Sequence, residues 1–328
     1  MIRKVAFRLV WVVVAVSVVT MGGLRAGAAE YPTKPIRVIV PYAAGSASDV
    51  VARIMLSEMS ESLGQPLIND NQPGAGGDSG TAAATRAAPD GYTLIVTGVG
   101  PLAANRSLFR KIGYDAEKDF APISQFVVLP NVIVINAKLP PRTLLEFVDY
   151  AKAHPKALNY GTVGFGSSQH LAALYFEQVV GVELTHVPYR QFSQFTPDFI
   201  AGQVPLGFQL LPNVLGLLSS GDARALAVTS STRLSALPDV PTAAEAGVKN
   251  YETVGWLALL APAGTPKPVI DKIYQALADA MKRQTVKARY AELGAEPVSP
   301  GPEELTKLIV SETTKWQKTI EKAGLQPM

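Results

Sequence analysis

The chain has 328 residues, of which 48% are hydrophobic and 17% are charged, and it contains no cysteine. This composition fits a folded chain with a large apolar core, and the length favours two domains of about 150 residues each. Without cysteine, disulfides, thiolate metal sites and a cysteine nucleophile are excluded. The net charge of +3 arises within residues 1–29, and no basic stripe follows, so we expect no nucleic-acid partner.

The first 28 residues have the features of a secretory signal peptide. Basic residues precede an apolar run from Val10 to Val19, and Ala26-Gly27-Ala28 fits the small-residue cleavage motif. The run is about half as long as the roughly 20 residues that a membrane-spanning helix needs. An uncleaved membrane anchor is the alternative. We therefore expect residues 1–28 to be removed and the mature protein to lie in the periplasm.

Strand-like and helix-like segments alternate along the rest of the chain. The first unit is the strand Ile36–Val40, then a loop of small residues, then a helix over Asp49–Leu63 that Gly64 ends. Further strands are predicted at Thr93–Thr97, Asn131–Asn136, Leu158–Thr162, Leu184–Val187, Val204–Phe208 and Ala223–Thr229. Further helices are predicted at Leu144–Lys152, Pro268–Lys282, Gln284–Leu293 and Pro302–Ala323, and another follows the loop at 164–168 and ends at Val180.

This alternation predicts an α/β fold with mostly parallel sheets that are flanked by helices. In open sheets of this kind, ligands bind outside the carboxyl ends of the strands. The small-residue loops at 43–48 and 164–168 each follow a predicted strand. They are therefore the first candidates for a binding site.

The segment Pro73–Gly80 is the richest in glycine. A phosphate-binding loop would need Gly-Lys followed by Ser or Thr, and a dinucleotide fingerprint would need G-x-G-x-x-G after the first strand. Neither is present, and Asp78 would repel a pyrophosphate. Two interpretations stay open: a set of tight turns, or backbone N–H groups that approach a small anion closely because glycine lacks a Cβ atom.

The histidines do not form a catalytic or metal-binding set. No two of them have metal-ligand spacing, and Gly166-Ser167-Ser168 is not the G-x-S-x-G motif of hydrolases. We expect His154 in solvent, His170 as a packing or hydrogen-bonding residue, and His186 as a buried, hydrogen-bonded side chain. We expect no catalytic residue, no metal and no cofactor, and a secreted α/β hydrolase is the less favoured alternative.

Two predicted helix starts suit an anion. Ser48 or Asp49 begins one helix and Ser167 or Ser168 begins another, so each start would present free N–H groups and a partial positive charge. Asp49 has two interpretations, an N-cap or a ligand contact. Arg190 follows a strand and would either pair with a carboxylate in a bidentate manner or form a surface salt bridge.

Four phenylalanines lie at or just beyond predicted strand ends, namely Phe165, Phe192, Phe195 and Phe208. Core packing explains at least some of them. Phe165 lies between two glycines in a loop and is the least typical of a core residue.

Several segments together carry a family resemblance: Pro73–Gly77, Ala88–Leu94, Asp119–Pro122, His186–Tyr189, Leu226–Thr229, Leu237–Thr242 and Ala261–Pro266. In these segments the chain resembles the periplasmic solute-binding proteins of tripartite tricarboxylate transporters, the Bug-type receptors. The resemblance extends from Tyr31 to the final helix.

The resemblance implies a two-lobed fold that closes over a ligand, with lobe one at 29–130 plus 256–328 and lobe two at 131–255. It also implies a small carboxylate as ligand and a two-subunit membrane permease, or a sensor kinase, as partner of a monomeric receptor. The ligand would be held by backbone groups and ordered waters from two loops. The implied ligand-binding residues are Tyr42, Ala43, Ala44, Gly45, Ser46, Ala47, Ser48, Asp49, Gly164, Phe165, Gly166, Ser167, Ser168, Gln169, Arg190, Phe192 and Gln209.

The chain departs from the family pattern within these loops. Phe165 replaces a small polar residue, Gln191–Phe195 replaces a glycine-rich stretch, and Gln209 stands where an Asp is common. The first loop also has fewer glycines than the family pattern. These changes remove polarity and add ring surface, on which aromatic ligands stack. We therefore expect an aromatic mono- or dicarboxylate, with an aliphatic di- or tricarboxylate, for transport or sensing, as the alternative.

Overall fold

The computed structural model describes residues 31–189 and 192–327. The predicted signal peptide and Arg190 lie outside the described residues, and the elements below belong to the unit that begins at Lys34. Within the described ranges, no helix combines the length and the apolar character that crossing a membrane requires.

The strands, in chain order, are β1 (Ile36–Val40), β2 (Leu67–Asn71), β3 (Thr93–Gly98), β4 (Phe120–Asn136), β5 (Asn159–Thr162), β6 (Thr185–Pro188), β7 (Leu206–Leu210), β8 (Ala223–Val228), β9 (Val254–Pro262) and β10 (Glu296–Pro297). The helices, in chain order, are α1 (Ala47–Leu63), α2 (Asp78–Ala84), α3 (Asn105–Leu108), α4 (Leu144–Ala153), α5 (Ser168–Val180), α6 (Phe195–Ala201), α7 (Leu211–Ser219), α8 (Lys267–Lys282), α9 (Gln284–Glu292) and α10 (Pro302–Lys322).

The long strand β4 belongs to two sheets. Its first part, Phe120–Pro130, pairs with β9, and its second part, Asn131–Asn136, pairs with β7 and β8. Sheet one has the order β2-β1-β3-β9-β4, with β10 also on β4, and sheet two has the order β4-β7-β5-β6, with β8 also on β4. The point at which β4 changes its partner strands, after Pro130, coincides with the predicted boundary between lobe one and lobe two. The lobe boundaries themselves stay a prediction.

Both sheets are mixed, so the expectation of mostly parallel pairing was wrong. The pairs β1–β2, β1–β3, β5–β6 and β5–β7 are parallel, as βα units require. The pairs of β4 with β7, β8, β9 and β10 are antiparallel, as is β3 with β9. The reason is topological: β4 carries the chain from sheet one to sheet two, and after β8 the chain returns to sheet one as β9, which lies beside β4 and runs in the opposite direction.

Helix α5 packs between the two sheets' cores. Its Phe176 belongs to the apolar core of sheet two, beside Phe147 and Phe208. Leu171, from the same helix, belongs to the core that contains Trp316 of α10 and the strands of sheet one. Burying apolar area on both faces of α5 stabilises the placement of its N-terminus, at about 25 cal/mol per Å² removed from water.

The predicted strands and helices exist, and their ends agree within two residues except for β4, which begins at Phe120 and not at Asn131. Sequence reasoning missed β2, β9, β10, α2, α3, α6, α7 and the first part of β4. Pro122 and Pro130 interrupt the pattern of β4, and β2 is an edge strand whose last residues are polar. Edge strands bury less surface than central ones, so their sequence signal is weak.

Candidate functional site

A cavity of about 720 Å³ lies at the carboxyl ends of the parallel strands of both sheets and beside the amino end of β9. This is where open α/β sheets bind ligands. The segments that line it are Pro41–Ala43, Ser46–Ser48, Pro73–Gly77, Gly98–Pro101, Val163–Gln169 and Gly255–Leu257, together with Phe109, Leu129, Pro188, Tyr189, Phe192, Leu210 and Asn213.

The first helix start at the cavity belongs to α1. Ser46 is the N-cap, and its Oγ accepts a hydrogen bond from the Asp49 N–H at 3.4 Å. The helix therefore begins at Ala47, and the prediction that Ser48 or Asp49 begins it was wrong. Ser46, Ala47 and Ser48 all line the cavity, so the first N–H groups of a 17-residue helix open on it.

Asp49 is buried, 1% exposed, and holds the loop before α1 in place. Its carboxylate accepts hydrogen bonds from the Gly45 N–H at 2.8 Å, from Asn69 and Asn71 at 2.9 and 2.8 Å, and from Arg53 at 2.9 Å. Burial disfavours the charge of Asp49, but the hydrogen bonds from Arg53, Asn71 and Gly45 outweigh it, so the Asp49 pKa lies below its usual value. Asp49 is therefore neither the N-cap nor part of the cavity lining.

The second helix start belongs to α5. Ser167 is its N-cap, one of the two residues predicted, and accepts a hydrogen bond from the His170 N–H at 3.3 Å. The Ser167 hydroxyl donates to the Gly164 carbonyl oxygen at 2.7 Å. Gly164 and Gly166 have φ values of 128° and 75°, which place Phe165 at the cavity. These left-handed values are accessible to glycine at little cost.

The glycine-rich loop after β2 is a tight turn and also lines the cavity. Gly74, Ala75, Gly76 and Gly77 have φ values of 149°, 47°, 63° and 111°. Both interpretations of the segment therefore stay compatible with its placement. A Cβ atom on Gly76 would lie 2.2 Å from the Phe165 carbonyl oxygen, so this loop touches the loop before α5.

Two further close approaches join the loops of the two sheets. A Cβ atom on Gly100 would lie 2.1 Å from the Gly166 carbonyl oxygen, and one on Gly166 would lie 1.9 Å from Asn105 Oδ1. Asn105 is fully buried, and its Nδ2 donates to Asp78 at 2.8 Å. Burial raises the pKa of Asp78, against the hydrogen bonds from Tyr114 and Asn105. The loops at the cavity are therefore in close contact through main chain and through the buried Asn105 side chain.

Two histidines pack against the Phe165 ring: His170 is buried and His186 is half-buried. The Phe165 ring lies edge-to-face on His186 at 4.6 Å and on His170 at 5.2 Å between centroids, and the two imidazoles lie 4.6 Å apart. His186 Nε2 lies 2.6 Å from Thr162 Oγ1, and His170 Nδ1 accepts the Gly166 N–H at 3.3 Å. His170 has the packing and hydrogen-bonding role expected, and His154 is exposed, as expected. His186 makes the expected hydrogen bond but is half-buried, so the expectation of full burial was wrong.

His170 and His186 predict a free energy of unfolding that falls in mild acid. Burial lowers the pKa of His170 to about 3, with a contribution from His186, and lowers that of His186 to about 4. In the unfolded chain a histidine has a pKa of about 6.5, so below that pH the unfolded chain binds protons that the folded chain does not. The contribution of these histidines to the free energy of unfolding is therefore complete above about pH 6.5 and is lost towards pH 4. For His186 the loss approaches about 3 kcal/mol.

Urea unfolding at about pH 7 and about pH 4.5 measures this effect. His186→Gln should reduce the difference in unfolding free energy between the two pH values. His154→Gln is the matched control because that imidazole is exposed, and it should leave the difference unchanged. Equal pH dependence in both variants would contradict the role of burial.

The aromatic predictions divide into cavity and core. Phe165 and Phe192 line the cavity, and Phe192 stacks on Phe195 at 4.9 Å. Phe195 and Phe208 are fully buried core residues. Trp256 and Asn213 line the cavity and were missed. Both are distant in sequence from the glycine-rich loops, so no local pattern marks them.

The predicted site residues fall into three groups. Those that line the cavity are Tyr42, Ala43, Ser46, Ala47, Ser48, Gly164, Phe165, Gly166, Ser167, Ser168, Gln169 and Phe192. Those that lie outside the lining are Ala44, Gly45, Asp49 and Gln209. Arg190 lies outside the described residues. Gln209 points into sheet two instead, where its Nε2 donates to the Gly161 carbonyl oxygen at 2.7 Å.

The described lining carries no Asp, Glu, Lys, Arg or His side chain. Its polar groups are backbone N–H and C=O groups, serine hydroxyls, a glutamine, an asparagine, two tyrosines and the indole N–H of Trp256. In the described ranges, no group of three or more His, Asp or Glu side chains is placed to hold a metal ion. Two helix N-termini and neutral donors suit a small anion.

Comparison with known proteins gives the same class of protein. The family model of the tripartite tricarboxylate transporter family receptor, TctC, matches residues 51–325. Protein BugT of Bordetella pertussis is 33% identical over 314 residues, 95% of this chain and 96% of that protein. A UPF0065 protein in the tcbD-tcbE intergenic region of Pseudomonas sp. strain P51 is 35% identical over 291 residues, 88% of this chain and 86% of that protein.

Two solved structures show the likeness in three dimensions. A protein of R. palustris, solved with adipate, is 33% identical, with a TM-score of 0.87 over 91% of this chain and 100% of that chain. MatC from Rhodopseudomonas palustris, with bound malate, is 34% identical, with a TM-score of 0.82 over 88% of this chain and 100% of that chain. The expected two-lobed fold and the expectation of a binding protein rather than an enzyme are confirmed. The chain belongs to the tripartite tricarboxylate transporter receptor family, whose members are periplasmic solute-binding proteins.

Proposed function

We propose that this chain captures a small carboxylate outside the cytoplasmic membrane and delivers it to a two-subunit permease. One observation carries the proposal: the N-termini of α1 and α5, each capped by a serine, open on one cavity whose described lining has no charged side chain. A helix N-terminus favours an anion by its free N–H groups and partial positive charge. Two such ends suit a carboxylate.

The ligand proposed for this cavity is an aromatic mono- or dicarboxylate. Six aromatic side chains line the cavity: Tyr42, Phe109, Phe165, Tyr189, Phe192 and Trp256. Its volume of about 720 Å³ lies within the range of small-molecule sites. Ring faces stack on aromatic ligands and add to the area that binding buries.

An aliphatic dicarboxylate is the second candidate. Two relatives at 33% and 34% identity were solved with adipate and with malate. The two helix starts described here would accept the carboxylates of either class. The rings therefore distinguish the two candidates, and Phe165 is the sharpest test because it replaces a small residue at the cavity.

Cellular location and partner follow from the same proposal. The predicted signal peptide, residues 1–28, would export the chain, and a monomeric receptor would meet the permease in the periplasm. A sensor kinase is the alternative partner, because a receptor that closes on its ligand serves signalling as well as transport.

The ligand proposal predicts a selective effect of Phe165→Ser. In a thermal-shift screen of the mature chain, terephthalate, benzoate or nicotinate should raise the melting temperature, because a ligand stabilises the fold that binds it. Phe165→Ser should weaken the binding of the aromatic ligand about fivefold, since ring contacts contribute about 1 kcal/mol. It should leave the affinity for adipate within about twofold. Calorimetric titration measures both affinities.

Leu145→Ser is the control for this variant, because Leu145 is 50% exposed on α4, away from the cavity. It should bind every ligand as the unchanged chain does. A response to adipate, malate or citrate alone would keep the receptor function and overturn the aromatic ligand. No response to any carboxylate would overturn the carboxylate receptor itself.

A further inference from the structure

Asn213 connects the two walls of the cavity, of which one consists of the loops and helix starts of sheet one and the other of those of sheet two. It lies in the first turn of α7, which follows β7 of sheet two, and it lines the cavity. Its Oδ1 accepts a hydrogen bond at 3.3 Å from the N–H of Ala47, the first residue of α1. α1 follows β1 of sheet one. The bond therefore spans the cleft, 166 residues apart in sequence.

Few side-chain hydrogen bonds make such a crossing. Among residues 34–189 and 192–327, the other one joins Gln178 of α5 to the Thr319 carbonyl oxygen of α10. That bond lies at the α5–α10 packing contact, and neither residue lines the cavity. Among the described cavity-lining residues, Asn213 therefore makes a side-chain hydrogen bond that depends on the separation of the two walls.

The donor that Asn213 uses is one of the free N–H groups of α1. Ser46 accepts from the Asp49 N–H, which leaves the N–H groups of the first helical residues for other acceptors. The neutral Oδ1 of Asn213 accepts the hydrogen bond from the Ala47 N–H. A ligand carboxylate at the same helix start would thus share the positive end of α1 with an uncharged neighbour, which does not repel it.

We propose that Asn213 determines both closure and anion selectivity, by bridging α7 to the start of α1 with a neutral acceptor. The proposal deepens the proposed receptor function and rests on it for the ligand class. An alanine would remove the bridge. An aspartate would keep an acceptor and hold the empty cleft closed more strongly, because a carboxylate is favoured at a helix N-terminus. The same charge would repel an anionic ligand.

Closure can be measured directly, because the chain has no cysteine of its own. Spin labels at Ser57→Cys on α1 and Lys152→Cys on α4, both exposed, report the distance between the walls by pulsed electron resonance. We expect Asn213→Ala to reduce the closed fraction and to weaken adipate and terephthalate about fivefold, the effect of one neutral hydrogen bond. We expect Asn213→Asp to raise the closed fraction without ligand, yet to lower the affinity for both ligands at least about tenfold. This loss of affinity should be smaller at high salt, because salt screens the charge repulsion.

Gly216→Asp is the matched control. Gly216 is exposed on the same helix, a Cβ atom there meets nothing within 4 Å, and it does not line the cavity. It adds the same charge to α7 and should change neither closure nor affinity. The opposite effects of Asn213→Asp on closure and on affinity would not arise from a merely structural residue.

Two results would overturn the proposal: equal closed fractions in the unchanged chain, Asn213→Ala and Asn213→Asp, or full carboxylate affinity in Asn213→Asp. If neither adipate nor terephthalate binds the unchanged chain, the ligand class of the proposed function fails. The role of Asn213 is then decided by the closed fractions without ligand. A difference among the three chains supports it, and equality overturns it.

Discussion

Replacing Gly166 with alanine should weaken ligand binding by about 100-fold, equivalent to about 2.7 kcal/mol, while both sheets stay folded. The new Cβ atom would lie 1.9 Å from Asn105 Oδ1, and Asn105 is fully buried and bonded to Asp78. Gly166 follows β5 of sheet two, whereas Asn105 follows β3 of sheet one. Separation of the two walls relieves the clash, so the cost falls on the closed form that encloses the ligand.

Gly181→Ala separates this clash from backbone strain. Gly181 ends α5 with a φ of 69°, close to the 75° of Gly166, but a Cβ atom there meets nothing within 4 Å. It should lower the unfolding free energy by about 1 kcal/mol, the cost of alanine in a left-handed conformation, without changing the affinity. Calorimetric titration and urea unfolding measure the two quantities. Equal affinity losses in both variants would show that strain, not the close approach, is responsible.

Asp49→Asn should lower the unfolding free energy by about 3 kcal/mol, because charge-assisted hydrogen bonds to a buried carboxylate would be lost. The Gly45 N–H and Arg53 both donate to one oxygen of Asp49, and an amide cannot accept on both sides. Asn71 also donates to the Tyr42 carbonyl oxygen, so the loop from Tyr42 to Ser46 loses its support. Ligand affinity should fall about tenfold as the loop becomes less ordered.

Asp70→Asn is the control for Asp49. Asp70 bonds Arg37 at 2.8 Å on the edge of the same sheet, but the pair is half exposed. Exposed ion pairs contribute about 1 kcal/mol or less, so this variant should unfold nearly as the unchanged chain does and bind ligand normally. A similar loss at both positions would mean that the burial of Asp49 has no special effect.

The glycine- and serine-rich loops could be predicted from sequence because local chemistry defines them. A strand, small residues and a helix start place Ser46–Ser48 and Gly164–Gln169 at strand ends whatever the rest of the chain does. Asn213 and Trp256 could not be predicted, because they reach the cavity only through the pairing of β4 with β7 and β9. Register over such distances is not encoded in any short segment.

The same limit explains the residues that were misplaced. Gln209 follows the alternation of β7, and a single position in a strand decides whether a side chain faces the cavity or the sheet interior. Asp49 carries an N-cap residue type, yet Ser46 takes that role because the loop turns earlier. The mixed pairing of the sheets depends on where the chain returns between them, which periodicity does not show.

A lining without acids, bases or imidazoles has a consequence for proton linkage. Of the described cavity residues, the ionisable ones are Tyr42 and Tyr189, and burial raises the pKa of both above the usual range. The imidazoles beneath Phe165 lose their protons at about pH 3 and about pH 4. Between about pH 5 and pH 8, capture of an ionised carboxylate therefore neither takes up nor releases protons at these groups. Across that range, therefore, the affinity of the cavity for an ionised carboxylate does not depend on protonation of these groups, and neither does its preference among such ligands.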